Sequence, residues 1–200
     1  NPVFADMAVA KALILLGQRG LIMYDDKWQL TPDLAVGVPT LSNGGVELLD
    51  LPSPNGKTNA PPGSSTTKQN DGVPTGPNQK MVVTWHLKPQ AQWEDGVPVT
   101  ADDFIFAQEV CMDPKQEIVD RDICERVESM VARGDDKKTL VVTWREQFAF
   151  FNAYRVHDLL PAHLLRPRIK KPNGEMADLS KDSYGQNPLS NGPFRFKEWV

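Results

Sequence analysis

The chain lacks a hydrophobic run long enough to cross a lipid bilayer. Its longest apolar stretch, MAVAKALILLG at residues 7–17, contains Lys11 and falls well short of the ~20 residues that a membrane-spanning helix needs. The stretch also lacks the charged start and the small-residue cleavage site of a secretory signal peptide. We therefore interpret it as an ordinary helix of a folded domain.

Positive charge is scarce as well. The 22 Lys and Arg residues are outnumbered by 26 Asp and Glu residues, and the net charge is −4, which argues against nucleic-acid binding through bulk electrostatics. The densest basic cluster, RPRIKKP at residues 166–172, is short and interrupted by prolines. A solvated loop is favoured there over an anion-binding patch.

Cysteine is limited to Cys111 and Cys124, which fit no zinc site of the usual spacing. Their separation allows a local disulfide if the chain lies outside the cytoplasm. Two separate thiols in a core fit the sequence equally well. The cysteines alone therefore leave both the bond and the compartment open.

Catalytic and cofactor motifs are also missing. The sequence contains no GxGxxG, GxxxxGK[ST], HExxH or GxSxG pattern. His157 and His163 are spaced so that they do not share one helix face, and Pro161 lies between them. We expect neither an enzyme nor a cofactor nor a metal site.

The chain does contain short strands and helices in mixed order, without a regular βαβ repeat. Apolar periodicity and turn residues predict both kinds of element. The predicted helices cover 7–18, 100–111, 120–127, 148–156 and a Pro-broken 158–165, and the predicted strands cover 21–24, 45–51, 80–87, 127–132, 138–144 and 190–200.

Strands 45–51 and 80–87 are predicted to form a hairpin with an expanded loop. In the second strand Met81, Val83 and Trp85 alternate with residues of the opposite face. The intervening residues 52–79 contain six prolines and four glycines, with Ala60 and Val73 as the aliphatic residues. Such a segment buries too little apolar surface to offset the entropy of ordering it. We interpret it as a flexible surface insertion.

The stretch WEDGVPVTADDFIFAQEV at residues 93–110 has the strongest local signal. Asp95 and Gly96 form a tight turn. Thr100 is a natural N-cap, and Asp103 three residues later can return the capping bond. Apolar residues of the predicted helix form a buried stripe: Phe104, Ile105, Ala107, Val110 and Cys111. The stretch is thus expected to pass the chain from a turn into a helix at a defined angle.

This stretch resembles the signature of the extracellular solute-binding proteins of oligopeptide, dipeptide and nickel ABC importers (solute-binding family 5), roughly W/F-x-D-G-x-P-V-T-A-x-D-F/V. The sequence departs from that pattern at Glu94, and Lys88 replaces an arginine usual in the preceding strand. Further landmarks occur in the family's order: NPVF, RGLIMYD…LTPDLA, MVVTWHLKPQAQW, GDDKKTLVVTW, LLPAHLL and NGPFRFKEWV.

The resemblance implies a mixed α/β (α+β) fold of the periplasmic-binding-protein type II kind, with an incomplete first lobe and its extra subdomain. Family members are considerably longer and have two lobes that close on a ligand. We expect residues 1–40 to be the N-terminal piece of lobe I and 41–165 the extra subdomain, with the insertion 52–79. Residues 166–200 are expected to return into a truncated lobe I.

The function implied is that of a monomeric, extracytoplasmic binding component of an ABC importer, periplasmic or extracellular and lipid-anchored in some members. It would capture peptides, or a related small solute, and deliver them to a permease. A ligand-sensing domain of a regulator is an alternative, as is a secreted metal-binding or hydrolytic protein.

The resemblance also places candidate ligand-binding residues. A match that starts at the NP element puts Asp6, Met7 and Ala8 in the cleft, and a looser match puts His157 near it. The first three would lie at the start of the predicted N-terminal helix, whose free amide groups suit polar ligand atoms. The alternative for Asp6 is a simple N-cap, and that for His157 is a structural histidine.

Overall fold

The computed structural model describes residues 17–50, 79–118, 120–152, 158–195 and 197. The predicted N-terminal helix, apart from Gly17 and Gln18, therefore lies outside the described residues, as does the insertion 52–79 apart from Gln79. Within the described ranges no helix is both long and apolar enough to cross a membrane.

The described fold consists of two antiparallel sheets and three helices. β1 and β2 form a two-stranded hairpin, and the other four strands form a sheet in the order β3-β4-β6-β5. The elements are β1 (Ile22–Tyr24), β2 (Leu30–Pro32), β3 (Val46–Asp50), β4 (Gln79–His86), α1 (Ala101–Met112), α2 (Asp122–Arg126), β5 (Val127–Arg133), β6 (Thr139–Trp144) and α3 (Ala162–Ile169), with short 3₁₀ turns at Leu179–Lys181 and Ser183–Gly185.

The period-2 alternation of β4 is confirmed. Met81, Val83 and Trp85 are buried, and β3 pairs with β4 in the predicted antiparallel hairpin. On its other side β4 pairs with β6, with Trp85 opposite Leu140. The apolar face of the sheet shares one core with Phe104 of α1 and with Leu21 and Ile22.

Helix α1 lies between two hydrophobic clusters rather than against one. Phe104 belongs to the sheet cluster, whereas Phe106 and Val110 pack with Leu165 and Ile169 of α3 in a second cluster. Phe106 is fully buried, and the predicted apolar stripe did not include it. Because Phe104 and Phe106 lie in different clusters, α1 joins the two cores. Each fully buried Phe contributes ~1.5–3 kcal/mol.

The helix predicted over 148–156 is wrong where it is described. Residues 148–152 form turns, with Phe151 N–H donating to the Phe148 carbonyl at 3.1 Å, and 153–157 lie outside the described residues. The Phe148 ring packs on Trp144, with centroids 4.9 Å apart. Aromatic residues and Asn152 are weak helix formers, so this contact with β6 decides the conformation.

The bounds predicted for the helix at 158–165 are also wrong. α3 begins at Ala162, after Pro161, and continues through Pro167 to Ile169, so the first half of RPRIKKP is helix rather than loop. Pro167 cannot donate to the carbonyl of the preceding turn. Burial of Ile169 offsets that loss. Arg166 and Lys170 also hold this turn, since both pair with Glu109 of α1.

The strand predicted over 190–200 is not found at 190–195, where the chain bends; most of the remainder lies outside the described residues. Ser190 Oγ donates to the Phe194 carbonyl at 2.6 Å and accepts from Gly192 N at 3.2 Å. Side-chain bonds of this kind compete with a strand ladder. Phe194 consequently remains largely exposed.

Cys111 and Cys124 are bonded as a disulfide in the structure. The bond joins the last turn of α1 to α2, and Gln108 Nε2 donates to the Cys124 carbonyl at 2.8 Å beside it. The two helices are thus held together across the loop that connects them.

We expect no reactive thiol in the denatured, unreduced protein. Closing a loop of this length removes unfolded-state entropy worth ~3 kcal/mol, so dithiothreitol should lower the free energy of unfolding in urea by about that amount. The double variant Cys111→Ala/Cys124→Ala is the control, and its stability should not respond to dithiothreitol. Two thiols titrating in the unreduced protein would contradict the bond.

Candidate functional site

The predicted ligand-binding residues Asp6, Met7, Ala8 and His157 lie outside the described residues. The structure describes a framework of contacts among other residues. It has two parts: the loop from Trp93 to Asp103, and the contact between Gly17 and residues 190–192. Both parts hold together segments that are distant in the sequence.

Asp103 is a buried carboxylate, 2% exposed, that accepts three hydrogen bonds from three segments. Oδ2 accepts from Thr100 N at 2.8 Å and from the Trp93 indole at 3.3 Å. Oδ1 accepts from Ala162 N at 2.9 Å, at the start of α3. The predicted capping bond to Thr100 is confirmed, but it is one of three.

Burial raises the pKa of Asp103 above its ordinary value, while the donors at Thr100, Ala162 and Trp93 act in the opposite direction. The backbone carbonyl of Asp103 also accepts from Leu160 N at 3.2 Å. Asp103 therefore fixes the entry of α3 through both its side chain and its main chain.

The turn before α1 is held by Asp95. Its Oδ1 accepts from Val97 N at 3.1 Å, and its Oδ2 lies 2.9 Å from His163 Nε2 of α3. Burial raises the pKa of Asp95, but the bonds from His163 and Val97 outweigh it, and the net shift is downward. Gly96 adopts φ 86°, a left-handed conformation that favours glycine. The turn thus contacts α3 at a second point.

The β5–β6 turn also contacts the loop from Trp93 to Asp103. Lys138 Nζ donates to the carbonyl of Val99 at 2.6 Å and to that of Ala91 at 3.2 Å. Burial lowers the pKa of Lys138. Next to it, Lys137 Nζ pairs with Asp102 at 2.6 Å. The two lysines therefore tie the β5–β6 hairpin to the start of α1.

Gly17 ends the predicted N-terminal helix and docks on residues 190–192. Its carbonyl accepts from Asn191 N at 3.1 Å and from Gly192 N at 3.0 Å, and it also contacts Ser190 Oγ. Asn191 Oδ1 also accepts from Arg19 N at 2.9 Å. A Cβ on Gly192 would lie 3.0 Å from the Gly17 carbonyl carbon and oxygen. This junction fixes Gly17 and Arg19 against residues 190–192.

The described residues offer no metal-ligand cluster. No three His, Cys, Asp or Glu side chains among them could hold a metal ion together. The cations of the 166–172 segment are also committed within the chain, because Arg168 pairs with Asp182 at 2.8 Å and Lys170 with Glu109 at 2.9 Å. The described framework is therefore built to position segments.

The sequence profile of bacterial extracellular solute-binding proteins, family 5 (middle), matches residues 77–200. The chain belongs to the family 5 solute-binding proteins. The match includes the whole Trp93–Asp103 loop, both lysines of the β5–β6 turn and residues 190–192. Apart from Gly17 and Arg19, the framework described above thus lies within the residues that match the family's sequence pattern.

Curated relatives are binding proteins. The oligopeptide-binding protein AppA of Bacillus subtilis is 27% identical over 114 residues, covering 56% of this chain and 20% of its own. The periplasmic oligopeptide-binding protein OppA of Escherichia coli is 28% identical over 136 residues, covering 60% and 23%. The matched part is thus about a fifth of these relatives' length.

Solved structures show the same fold. An oligopeptide-binding protein from Thermus thermophilus, complexed with a pentapeptide, superposes with a TM-score of 0.69 at 22% identity, covering 99% of this chain and 32% of that one. NikZ from Campylobacter jejuni, in complex with Ni(L-His), superposes with a TM-score of 0.63 at 25% identity, covering 100% and 31%. The predicted fold class, mixed α/β of the type II periplasmic-binding-protein kind, is confirmed.

Two features of the framework were not predicted from the sequence. The bond from Ala162 N to Asp103 joins residues 59 positions apart, and the Gly17 contact joins Ser190 across 173 positions. Trp93 and Asp103 both belong to the family pattern, and this was the available sequence signal that the two residues act together. Because helix capping already accounted for Asp103, its other hydrogen bonds were not predicted.

We predict that Asp103→Asn lowers the free energy of unfolding by ~2–3 kcal/mol, because an amide has one acceptor oxygen and leaves a buried N–H donor unsatisfied. Asp102→Asn is the matched control. It removes only a partly exposed ion pair with Lys137 and should cost less than ~1 kcal/mol. Urea unfolding measures both, and equal losses would contradict the role assigned to Asp103.

We also predict that Gly192→Ala destabilises the protein by ~1–3 kcal/mol, because the new methyl group would press on the Gly17 backbone. Gly37→Ala is the control, since a Cβ there meets nothing within 4 Å, and should stay within ~0.5 kcal/mol. Thermal unfolding compares the two. If Gly192→Ala and the parent protein have the same melting temperature, the close approach of Gly192 to Gly17 does not affect stability.

Proposed function

We propose that this chain is part of the extracytoplasmic binding component of an ABC importer, and that the component captures peptides. The observation that supports it most is the family match over residues 77–200 together with the relatives' names: AppA and OppA are both oligopeptide-binding proteins. Delivery to a membrane permease and action as a monomer belong to the same proposal.

The disulfide supports a location outside the cytoplasm. Bonded cysteines persist in oxidising compartments and are rare where thiol reductants are abundant, and Cys111 is bonded to Cys124. The name of the Escherichia coli relative, a periplasmic protein, agrees with this. We propose a periplasmic or extracellular protein, with or without a lipid anchor.

We further propose the predicted division of the chain. Residues 41–165, the extra subdomain, contain the four-stranded sheet, and residues 1–40 contribute Leu21 and Ile22 to its core. Residues 166–200 return to the end of the N-terminal helix through the Gly17 contact. On this division the proposed ligand residues Asp6, Met7 and Ala8 stand on a helix whose far end is anchored, and His157 is proposed near the cleft.

A nickel complex is the second candidate ligand, because NikZ, solved with Ni(L-His), is also a structural neighbour. The described residues hold no group of metal ligands. A peptide and a metal–histidine complex both present charged groups that a helix N-terminus and a carboxylate can meet.

Calorimetry on the full-length gene product tests the proposal. We expect a random tetrapeptide and pentapeptide pool to bind, and Ni(L-His) not to compete. The 200-residue chain by itself should bind weakly or not at all, because it covers about a third of the solved neighbours and a small-ligand pocket needs burial on most sides. Heat from Ni(L-His) and none from peptides would overturn the peptide assignment.

Two substitutions of Asp6 separate its two interpretations in the full-length protein. Asp6→Asn keeps most of an N-cap and removes the charge, whereas Asp6→Ala removes both. If Asp6 meets the ligand, both variants should lose affinity by about tenfold, the effect of one charged hydrogen bond of ~1.5 kcal/mol. Unchanged affinity in both, with a melting temperature lowered only in Asp6→Ala, would make Asp6 a cap.

A further inference from the structure

The tip of the β1–β2 hairpin holds a tryptophan in an unusual backbone conformation. Trp28 has φ 60°, in the left-handed region where glycine and asparagine are the usual residues and bulky side chains are outliers. Asp25 shapes the turn: its Oδ1 accepts from Lys27 N at 2.9 Å and from Gln29 N at 2.8 Å. Trp28 N itself donates to the Asp25 carbonyl at 3.1 Å.

The described fold gains little from this tryptophan. The Trp28 residue is 82% exposed, whereas Trp85, Trp93 and Trp144 are at most 1% exposed. A glycine would fit the backbone better and would leave every bond of the turn in place. A disfavoured conformation that presents a large apolar ring to solvent points to a contact outside this part of the chain.

The surroundings of the ring indicate what it would contact. The Tyr24 and Trp28 rings have centroids 6.1 Å apart and are tilted by 51°, so they form a notch and not the flat shelf that a sugar ring would stack on. Asp26 is exposed beside them and Asp25 is half-buried. Aromatic faces next to carboxylates suit a guanidinium group, which stacks on a ring and pairs with an acid at once.

The chain already uses that pairing elsewhere. The Arg126 guanidinium lies 5.3 Å from the Phe148 ring centroid, and that of Arg166 lies 5.2 Å from the Phe106 centroid. Indole attracts cations more strongly than a phenyl ring does. Yet within the described ranges no Lys or Arg side chain lies over the Trp28 ring.

We propose that Tyr24, Asp26 and Trp28 form a docking notch for an arginine side chain that an exposed basic segment of a partner protein presents. This proposal does not depend on the proposed function. A single exposed cation–π contact is weak, so the segment would carry more than one arginine and the contact would weaken with added salt.

The test is an NMR titration of the tryptophan indole N–H signals with a Gly/Ser peptide that contains two arginines. The Trp28 signal, identified by its absence in Trp28→Gly, should shift and saturate, while the buried tryptophans stay unchanged. Trp28→Gly should weaken peptide binding about two- to fivefold, measured by fluorescence anisotropy of a labelled peptide. Its melting temperature should not fall, because glycine suits the turn.

Three controls make the result decisive. Phe150→Ala removes another exposed aromatic residue and should leave binding unchanged, and the same peptide with glutamates in place of arginines should not bind. Neutral phosphatidylcholine vesicles should not shift the Trp28 signal. Equal binding by Trp28→Gly and the parent would overturn the proposal, as would binding of the glutamate peptide or of the vesicles in place of the arginine peptide.

Discussion

The described part of this protein depends on one buried carboxylate. Asp103 receives N–H donors from Trp93, Thr100 and Ala162, so a turn, a helix start and a second helix meet at two oxygen atoms. A charge at this depth is costly unless its hydrogen bonds are satisfied. Those bonds require all three segments to be in place together. The same cost that opposes burial of Asp103 therefore makes the arrangement specific.

Local patterns predicted the elements whose residues decide their own conformation. The strand period of Met81, Val83 and Trp85, the turn at Gly96 and the cap at Thr100 all depend on neighbours within a few positions, and the structure confirms them. The framework of the site was less accessible. Nothing near Asp103 in the sequence signals Ala162, and nothing near Gly17 signals Gly192, because those contacts exist only in the folded chain.

Two of the segments that were predicted wrongly, 148–152 and 166–169, share a physical cause. Phe148 leaves a helical pattern to pack on Trp144. The last turn of α3 forms in spite of Pro167 because Glu109 supplies partners for Arg166 and Lys170. Tertiary contacts override local propensity in both places, which is the usual outcome when propensity differences are below ~1 kcal/mol. The helix around Pro167 needs more stabilisation than that, and two ion pairs and the buried Ile169 provide it.

The strand order β3-β4-β6-β5 also limits how early the four-stranded sheet can form. β6 is the last of the described strands in chain order, yet it lies between β4 and β5, and Met81 of β4 pairs with Trp144. The β5–β6 hairpin can close early because its partners are near in sequence. β4 must wait until the chain through residue 144 is available, and loop-closure entropy slows such distant pairing. A chain that emerges from its N-terminus would thus leave this hydrogen-bonding edge of β4 unpaired until the hairpin arrives.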